Sequence, residues 1–329
     1  MSSRVYQREF CQGVFNYMSP ETEASLFRNG RVKIQRDPDG NTTTSEGINL
    51  AQHSLGVQNA RLLESDSPLT CEQNGFELKA CPLGNETLNF TDHRQVVATY
   101  YDECTAIVEE VTGAKAYAFD HNVRSATGKK NKALITGGQQ VQGPAHLVHG
   151  DYTLRSAPDR LKQLIEPPSG NDTLLGVLGA GESLIPPTGA ARALAGDSRF
   201  SIINVWRNIA VEPVATHPLA LCDSQTVRPE ELVVFEIHYP DRIGENYFAK
   251  YSTRHRMYFY PDMTRNEVLL IKQWDSAGPL AQSNGDLGDE ENKLAPCTFS
   301  FHSAFEDTAT PLGAPDRWSI EVRCMVLYD

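Results

Sequence analysis

The strongest helical periodicity in the chain lies in "TDHRQVVATYYDECTAIVEEVTGA", residues 91–114. There Val96, Val97, Tyr100, Cys104, Val108 and Val111 recur at the three- and four-residue spacing of one helix face. Thr91 or Asp92 offers an N-cap and Gly113 a stop, so the pattern predicts a helix across this stretch. "AKAYAFDHNVRS" reads as a strand leaving that helix, and "APDRLKQLI", 157–165, as a second, shorter helix. From residue 145 onward the pattern changes to short apolar or alternating runs separated by turn residues. They are "AHLVHGDYT", "RFSIINVWRNIA", "ELVVFEIHY", "HRMYFYP", "EVLLIKQWD", "CTFSFHSAF" and "WSIEVRCMVLY". Their richness in Val, Ile, Phe, Tyr and Thr is that of strands. Many short strands with few helices between them predict a mainly β protein with flanking helices. An antiparallel sandwich or barrel fits that order better than a doubly wound sheet.

No Pro/Ser-rich linker separates the halves, so residues 1–329 read as a single domain. Residues 1–140 form an expected helical and extended region packed on the barrel, and 141–329 the β core. A Pro/Gly-rich insertion near 166–198 reads as a long functional loop or lid. The formal net charge of −12 and the absence of any basic run longer than "GKKNK" argue against nucleic acid or an anionic membrane surface as partner. A small molecule is the expected partner. The seven cysteines show no Cys-x-x-Cys spacing, which points to reduced thiols. With no signal-like apolar run at the N-terminus, the expected location is cytoplasmic. The glycosylation-type triplets at Asn41, Asn85, Asn89 and Asn171 then read as coincidence.

Candidate chemistry starts from His149-Gly150-Asp151, the one His-x-Asp triplet among nine histidines. On a strand, side chains two apart share a face, so both groups reach one metal ion. A third ligand is offered by His302, flanked by Phe299, Phe301 and Phe305. Beyond it comes Arg317-x-Ser319, opening the last strand. In that strand Arg317, Ser319, Glu321 and Arg323 share one face, and Trp318, Ile320, Val322 and Cys324 the other. The order His-x-Asp, distant His, Arg-x-Ser is similar to that of iron(II)/2-oxoglutarate oxygenases. In those, two His and one carboxylate leave three positions open on the iron. An arginine fork and a hydroxyl clamp the far carboxylate of the keto acid. Two other readings of the same residues stay open: a cupin-type metalloenzyme that does not use 2-oxoglutarate, and a non-catalytic accessory barrel. No His-Glu-x-x-His, Gly-x-Ser-x-Gly or phosphate-cradling loop is present to support a different chemistry.

The stretches "FDHNVRS", "HGDYT", "NVWRNIAVEPVATHPLALCD", "HRMYFYPDMTRNEVLLIKQWDS", "FHSAFED" and "RWSIEVRCMVLYD" resemble the fungal hydroxylase/desaturase family. That family includes gibberellin desaturase-like proteins and relatives of the cephamycin C-7 hydroxylase accessory protein. The resemblance runs from about residue 95 to the C-terminus. It implies a double-stranded β-helix (a jelly-roll, cupin-like barrel), with Fe(II) as cofactor and 2-oxoglutarate and O2 as cosubstrates. It implies hydroxylation, desaturation or oxidative cyclisation of a secondary metabolite through a ferryl intermediate. On that analogy His149, Asp151 and His302 are the metal ligands, with no further catalytic residue called. Arg317 and Ser319 are 2-oxoglutarate candidates, and Arg323 is a rival for the same carboxylate. Arg207, His255 and His121 are candidates for substrate or cosubstrate contact, each against a structural alternative. Arg124 lines the pocket or makes a structural bond. His146 faces the opposite way from His149, His217 reads as a turn residue, and the run from Met257 to Tyr260 reads as core.

Overall fold

A computed structural model describes residues 8–37, 42–63, 68–137, 140–170, 172–240 and 242–329. Asn41 and Asn171 lie outside the described residues. The N-terminal strands are β1 (Phe10–Met18), β2 (Lys33–Arg36), β3 (Thr42–Glu46), β4 (Leu50–Asn59), β5 (Phe76–Ala80) and β6 (Lys115–Arg124). The middle of the chain adds β7 (His149–Gly150), β8 (Phe200–Asn208), β9 (Leu219–Cys222), β10 (Leu232–His238) and β11 (Ile243–Ala249). The last are β12 (Met257–Phe259), β13 (Glu267–Asp275), β14 (His302–Ala304), β15 (Glu306–Asp307) and β16 (Ser319–Leu327).

The larger sheet has the order β15-β1-β4-β12-β9-β14-β7-β11-β10-β2-β3, and the smaller β5-β13-β8-β16-β6. An apolar cluster takes side chains from both: Phe15, Tyr247, Phe299 and Phe301 from the larger wall and its approach, Ile202, Trp274 and Met325 from the smaller. Two sheets closing on one shared core make the expected jelly-roll barrel. The N-terminal region is more than an outer layer. β1 pairs with β4 from Phe10↔Gln58 to Met18↔Leu50, and β5 and β6 pair with β13 and β16. These are long-range pairings, which local propensity does not reveal.

The helix expected over 91–114 is present, with an internal irregularity. It runs as α1 (His93–Gln95), a π-helical turn Val96–Tyr100, and α2 (Tyr101–Thr112). The Asp92 side chain accepts from the Gln95 amide, and Gly113 ends the helix at φ 66°. Tyr100 and Tyr101, where the π turn passes into α2, both bury against the outer face of the smaller sheet. Further helices are α3 (Ala126–Lys130), α4 (Ser156–Leu164) and α5 (Pro187–Ala195). The last lies inside the 166–198 insertion, which is therefore partly helical, and it buries Ala190 and Ala193 in the barrel core. Among the described residues, no helix is long and apolar enough to cross a membrane.

Candidate metal centre

β7 and β14 are far shorter than their sequence runs suggest, and they meet where the chemistry is expected. Their antiparallel register makes His149 and His302 direct cross-strand partners, with ring centroids 4.3 Å apart. Asp151 follows just past the end of β7, where its backbone N–H donates to Gln273 Oε1 at 3.1 Å instead of to a strand. Gly150 between them packs under an aromatic ring: a Cβ there would stand 2.9 Å from Phe299. The three side chains place ligand atoms within 4.8 Å of one another, the one such cluster found among the described residues.

Each ligand is oriented by a neighbour. His149 Nδ1 lies 2.6 Å from the Leu147 carbonyl, so it carries the proton and leaves Nε2 free, 3.6 Å from Asp151 Oδ1. Asp151 Oδ2 accepts from Asn204 Nδ2 at 3.2 Å and from Arg323 Nε and Nη2 at 3.2 and 3.1 Å. His302 Nδ1 is buried and makes no hydrogen bond of regular geometry. Burial, with His302 alongside, pushes His149 down to about 4, and burial lowers His302 too. Burial alone would raise the Asp151 carboxyl, but Arg323 and the two imidazoles outweigh it and hold it well below the usual carboxylate range. At neutral pH the cluster therefore offers two neutral imidazoles and one carboxylate, the protonation state a divalent metal requires. The donor set of two imidazoles and one carboxylate, with ligand atoms within 4.8 Å of one another, fits a mononuclear ion.

The four polar residues of the last strand face separate. Arg317 is 2 % exposed, yet it has no carboxylate within ion-pair distance among the described residues. It donates to the His217 carbonyl and lies over the Trp206 ring, 5.7 Å from its centroid, while Nε has no partner. Burial, then the nearby Arg124, lowers it to about 9. Trp206 is two residues from Asn204 on β8, so the ring beneath this guanidinium lies on the same sheet face as the amide that bonds Asp151. Ser319 is buried on that face, opposite Arg124. Arg323, the rival, is committed elsewhere: besides Asp151 it pairs with Asp120 at 2.9 Å and Glu321 at 3.2 Å. A guanidinium held by three carboxylates has no fork left for a ligand, so that assignment is corrected.

Three further candidates have other partners in this structure. His121 points outward from β6, bonded to Tyr101 Oη at 2.8 Å and stacked on His93. Arg207 points the same way from β8, donating to Tyr100 Oη, to the carbonyls of Cys81 and Arg265, and to Glu103 at 2.6 Å. His255 binds Glu231 at 3.0 Å and stacks on Tyr17. His121 and Arg207 are bonded on the outer side of the smaller sheet, whereas His255 lies against the core rings of Tyr17 and Phe301. His146 packs edge-on to His217 and stays out of it, as its parity suggests. His217 takes φ 46°, consistent with a turn, and Met257 to Tyr260 are buried core. Arg124 does share the inner face, donating to the Gly143 carbonyl.

Sequence reading missed Asn204, Gln273 and Asp120. Asn204 carried a signal: a lone amide inside the apolar run "SIINVW" needs a buried partner. Gln273 and Asp120 had none, because their partners come from other strands. Arg207→Met is expected to cost about 3 kcal/mol of stability in urea unfolding, since it orphans buried acceptors and Glu103. The folded variant should bind metal like wild type. Wild-type stability with lost metal or cosubstrate binding would instead place Arg207 in the site.

A double-stranded β-helix that brings two histidines and one aspartate together at a buried point defines a cupin-like barrel with a mononuclear metal centre. The chain belongs to the oxidoreductase family described as an oxidoreductase/YMDC permease-like domain, whose model matches residues 15–177 and 181–327. It is 42 % identical over 195 residues to an uncharacterized protein in the dcmA 3' region of Methylophilus leisingeri, covering 59 % of this chain and 88 % of that one. It is 29 % identical over 329 residues, 98 % of each chain, to the Fe(II)/2-oxoglutarate-dependent dioxygenase nvfI of Aspergillus novofumigatus. The solved iron and alpha-ketoglutarate-dependent endoperoxidase NvfI superimposes with a TM-score of 0.72 at 23 % identity, covering 98 % of this chain and 99 % of that one, which shows the shared fold.

Proposed function

We propose that this chain is an Fe(II)- and 2-oxoglutarate-dependent oxygenase that hydroxylates, desaturates or oxidatively cyclises a small secondary metabolite, residues 1–329 acting as one oxygenase domain. The observation that carries the reading is the meeting of His149, Asp151 and His302, with ligand atoms within 4.8 Å, in a barrel that also buries a carboxylate-free arginine, Arg317. His149 Nε2, Asp151 Oδ1 and His302 would hold the iron, leaving three positions for the chelating end of the keto acid and for dioxygen. Iron, when bound, supplies the redox chemistry that couples dioxygen reduction to decarboxylation of the keto acid. The residues of the chain bind and orient. Arg317 offers a buried guanidinium to the far carboxylate, with Ser319 beside it as a hydroxyl donor. Gln273 and Asn204 fix the backbone and side chain of Asp151. Phe299, packed against Gly150 and against Phe301, Tyr247 and Trp274, keeps water from that flank. Seven free cysteines support a cytoplasmic setting.

The test is anaerobic titration of metal-free protein with Fe(II) and then 2-oxoglutarate, followed by admission of oxygen. One equivalent of each should bind, and oxygen should release succinate. Iron binding without any affinity for 2-oxoglutarate would overturn the cosubstrate assignment and favour the cupin-type alternative.

A further inference from the structure

The two oxygens of Asp151 sit in different surroundings. Oδ2 accepts three N–H donors, one from Asn204 and two from Arg323, whereas Oδ1 faces His149 Nε2 at 3.6 Å. The donors come from a single row across three strands: Arg323 on β16 is the register partner of both Asp120 on β6 and Asn204 on β8. From the centre of that row the guanidinium reaches Asp151 with Nε and Nη2, Asp120 with Nη1 and Glu321 with Nη2.

We propose that Arg323 is a positioning residue that keeps Asp151 a one-oxygen metal ligand, an inference that rests on the metal-site reading above. An oxygen already accepting three donors has no lone pair to turn toward an ion, so Oδ1 alone serves the cluster. Two imidazoles and one oxygen leave three of six positions open on an octahedral ion. A second Asp151 oxygen would occupy one of those three, at the expense of the keto-acid chelate or dioxygen. The planar fork matters as much as the charge. It spans three carboxylates in fixed directions, which a point-charge ammonium on a flexible stem does not.

Arg323 is itself held by a neighbour in its row. Asp120 Oδ2 accepts from its Nη1, and Asp120 Oδ1 accepts the hydroxyl of Thr173, which lies in the 166–198 insertion. The seating of that insertion is thus joined to the ligand carboxylate through two side chains.

The experiment is anaerobic Co(II) titration of metal-free wild type, Asp151→Ala, Arg323→Lys, Arg323→Met and Thr173→Val. Visible absorption reports the coordination, and 2-oxoglutarate is then added to each cobalt-loaded protein. Wild type should bind one equivalent and Asp151→Ala none. Arg323→Lys should bind Co(II) about 10- to 100-fold more weakly, the range typical of residues that orient a ligand. Its absorption should change as Asp151 swings to two-oxygen binding, and its affinity for 2-oxoglutarate should fall. Arg323→Met should do the same or more. If it fails to fold, Thr173→Val, which keeps every charge, should move both readouts in the same direction by a few fold. An Arg323→Lys protein with lower melting temperature but unchanged cobalt affinity and absorption would overturn the inference. If wild type binds no Co(II), or Asp151→Ala binds it equally well, the metal-site reading itself fails, a result separable from the first.

Discussion

Asp151→Ala is expected to abolish stoichiometric metal binding and, with it, all 2-oxoglutarate turnover. Residues that merely orient a metal ligand typically cost 10- to 100-fold in affinity when replaced. Loss of the one anionic ligand should exceed about 100-fold, because a neutral two-imidazole site has neither the charge nor the third donor a hard divalent ion needs. The fold should survive. The cavity is small, Arg323 keeps its pairs with Asp120 and Glu321, and Gln273 bonds the backbone amide rather than the side chain. The measurement is metal content by elemental analysis after anaerobic loading, with circular dichroism to show an intact fold. A folded Asp151→Ala protein that still carries one equivalent of iron would remove Asp151 from the ligand set.

Arg317→Met should separate binding from stability in opposite directions. Hydrogen bonds to a charged group are worth about 1.5–3 kcal/mol each, so losing a forked pair should raise the dissociation constant for 2-oxoglutarate about 100-fold or more. The ligand-free variant should nevertheless be at least as stable as wild type. Arg317 is buried without a carboxylate partner, its Nε is unbonded, and burial together with Arg124 already lowers its pKa to about 9. A cation so placed destabilises the empty barrel, and an apolar side chain of similar length relieves that. Isothermal titration of the iron-loaded variant and thermal unfolding of the empty one read the two effects. Unchanged 2-oxoglutarate affinity would show that another group takes the far carboxylate, Arg124 being the nearest guanidinium on the same face.

The contrast between Arg317 and Arg323 shows where the sequence stops. In the sequence both fall at even spacing on one apparent strand face, so alternation ranks them equally, although β16 begins only at Ser319. What separates them is the row each occupies. Arg323 stands opposite Asp120 and Asn204 and beside Asp151, while Arg317 stands over Trp206 with no carboxylate at ion-pair distance among the described residues. Those neighbours come from β6 and β8, far away in the chain. The same limit explains Arg207, His121 and His255. Each is a buried polar residue, which predicts a partner, and the partners are Glu103, Tyr101 and Glu231, all distant in the chain.

By itself the sequence determined the chemistry of the ligands and the local elements. The His149-x-Asp151 pair is marked by its spacing and the 91–114 helix by its periodicity, because both are short-range properties of side chains along a backbone, while His302 joined them through the family resemblance. Only the tertiary structure decided which face of each strand is the inside and which arginine has no carboxylate at ion-pair distance among the described residues. It also decided that Asp151 turns a single oxygen toward the cluster. Those facts depend on strand order and register between segments a hundred or more residues apart, where pairing is set by the burial of the whole core rather than by any local pattern.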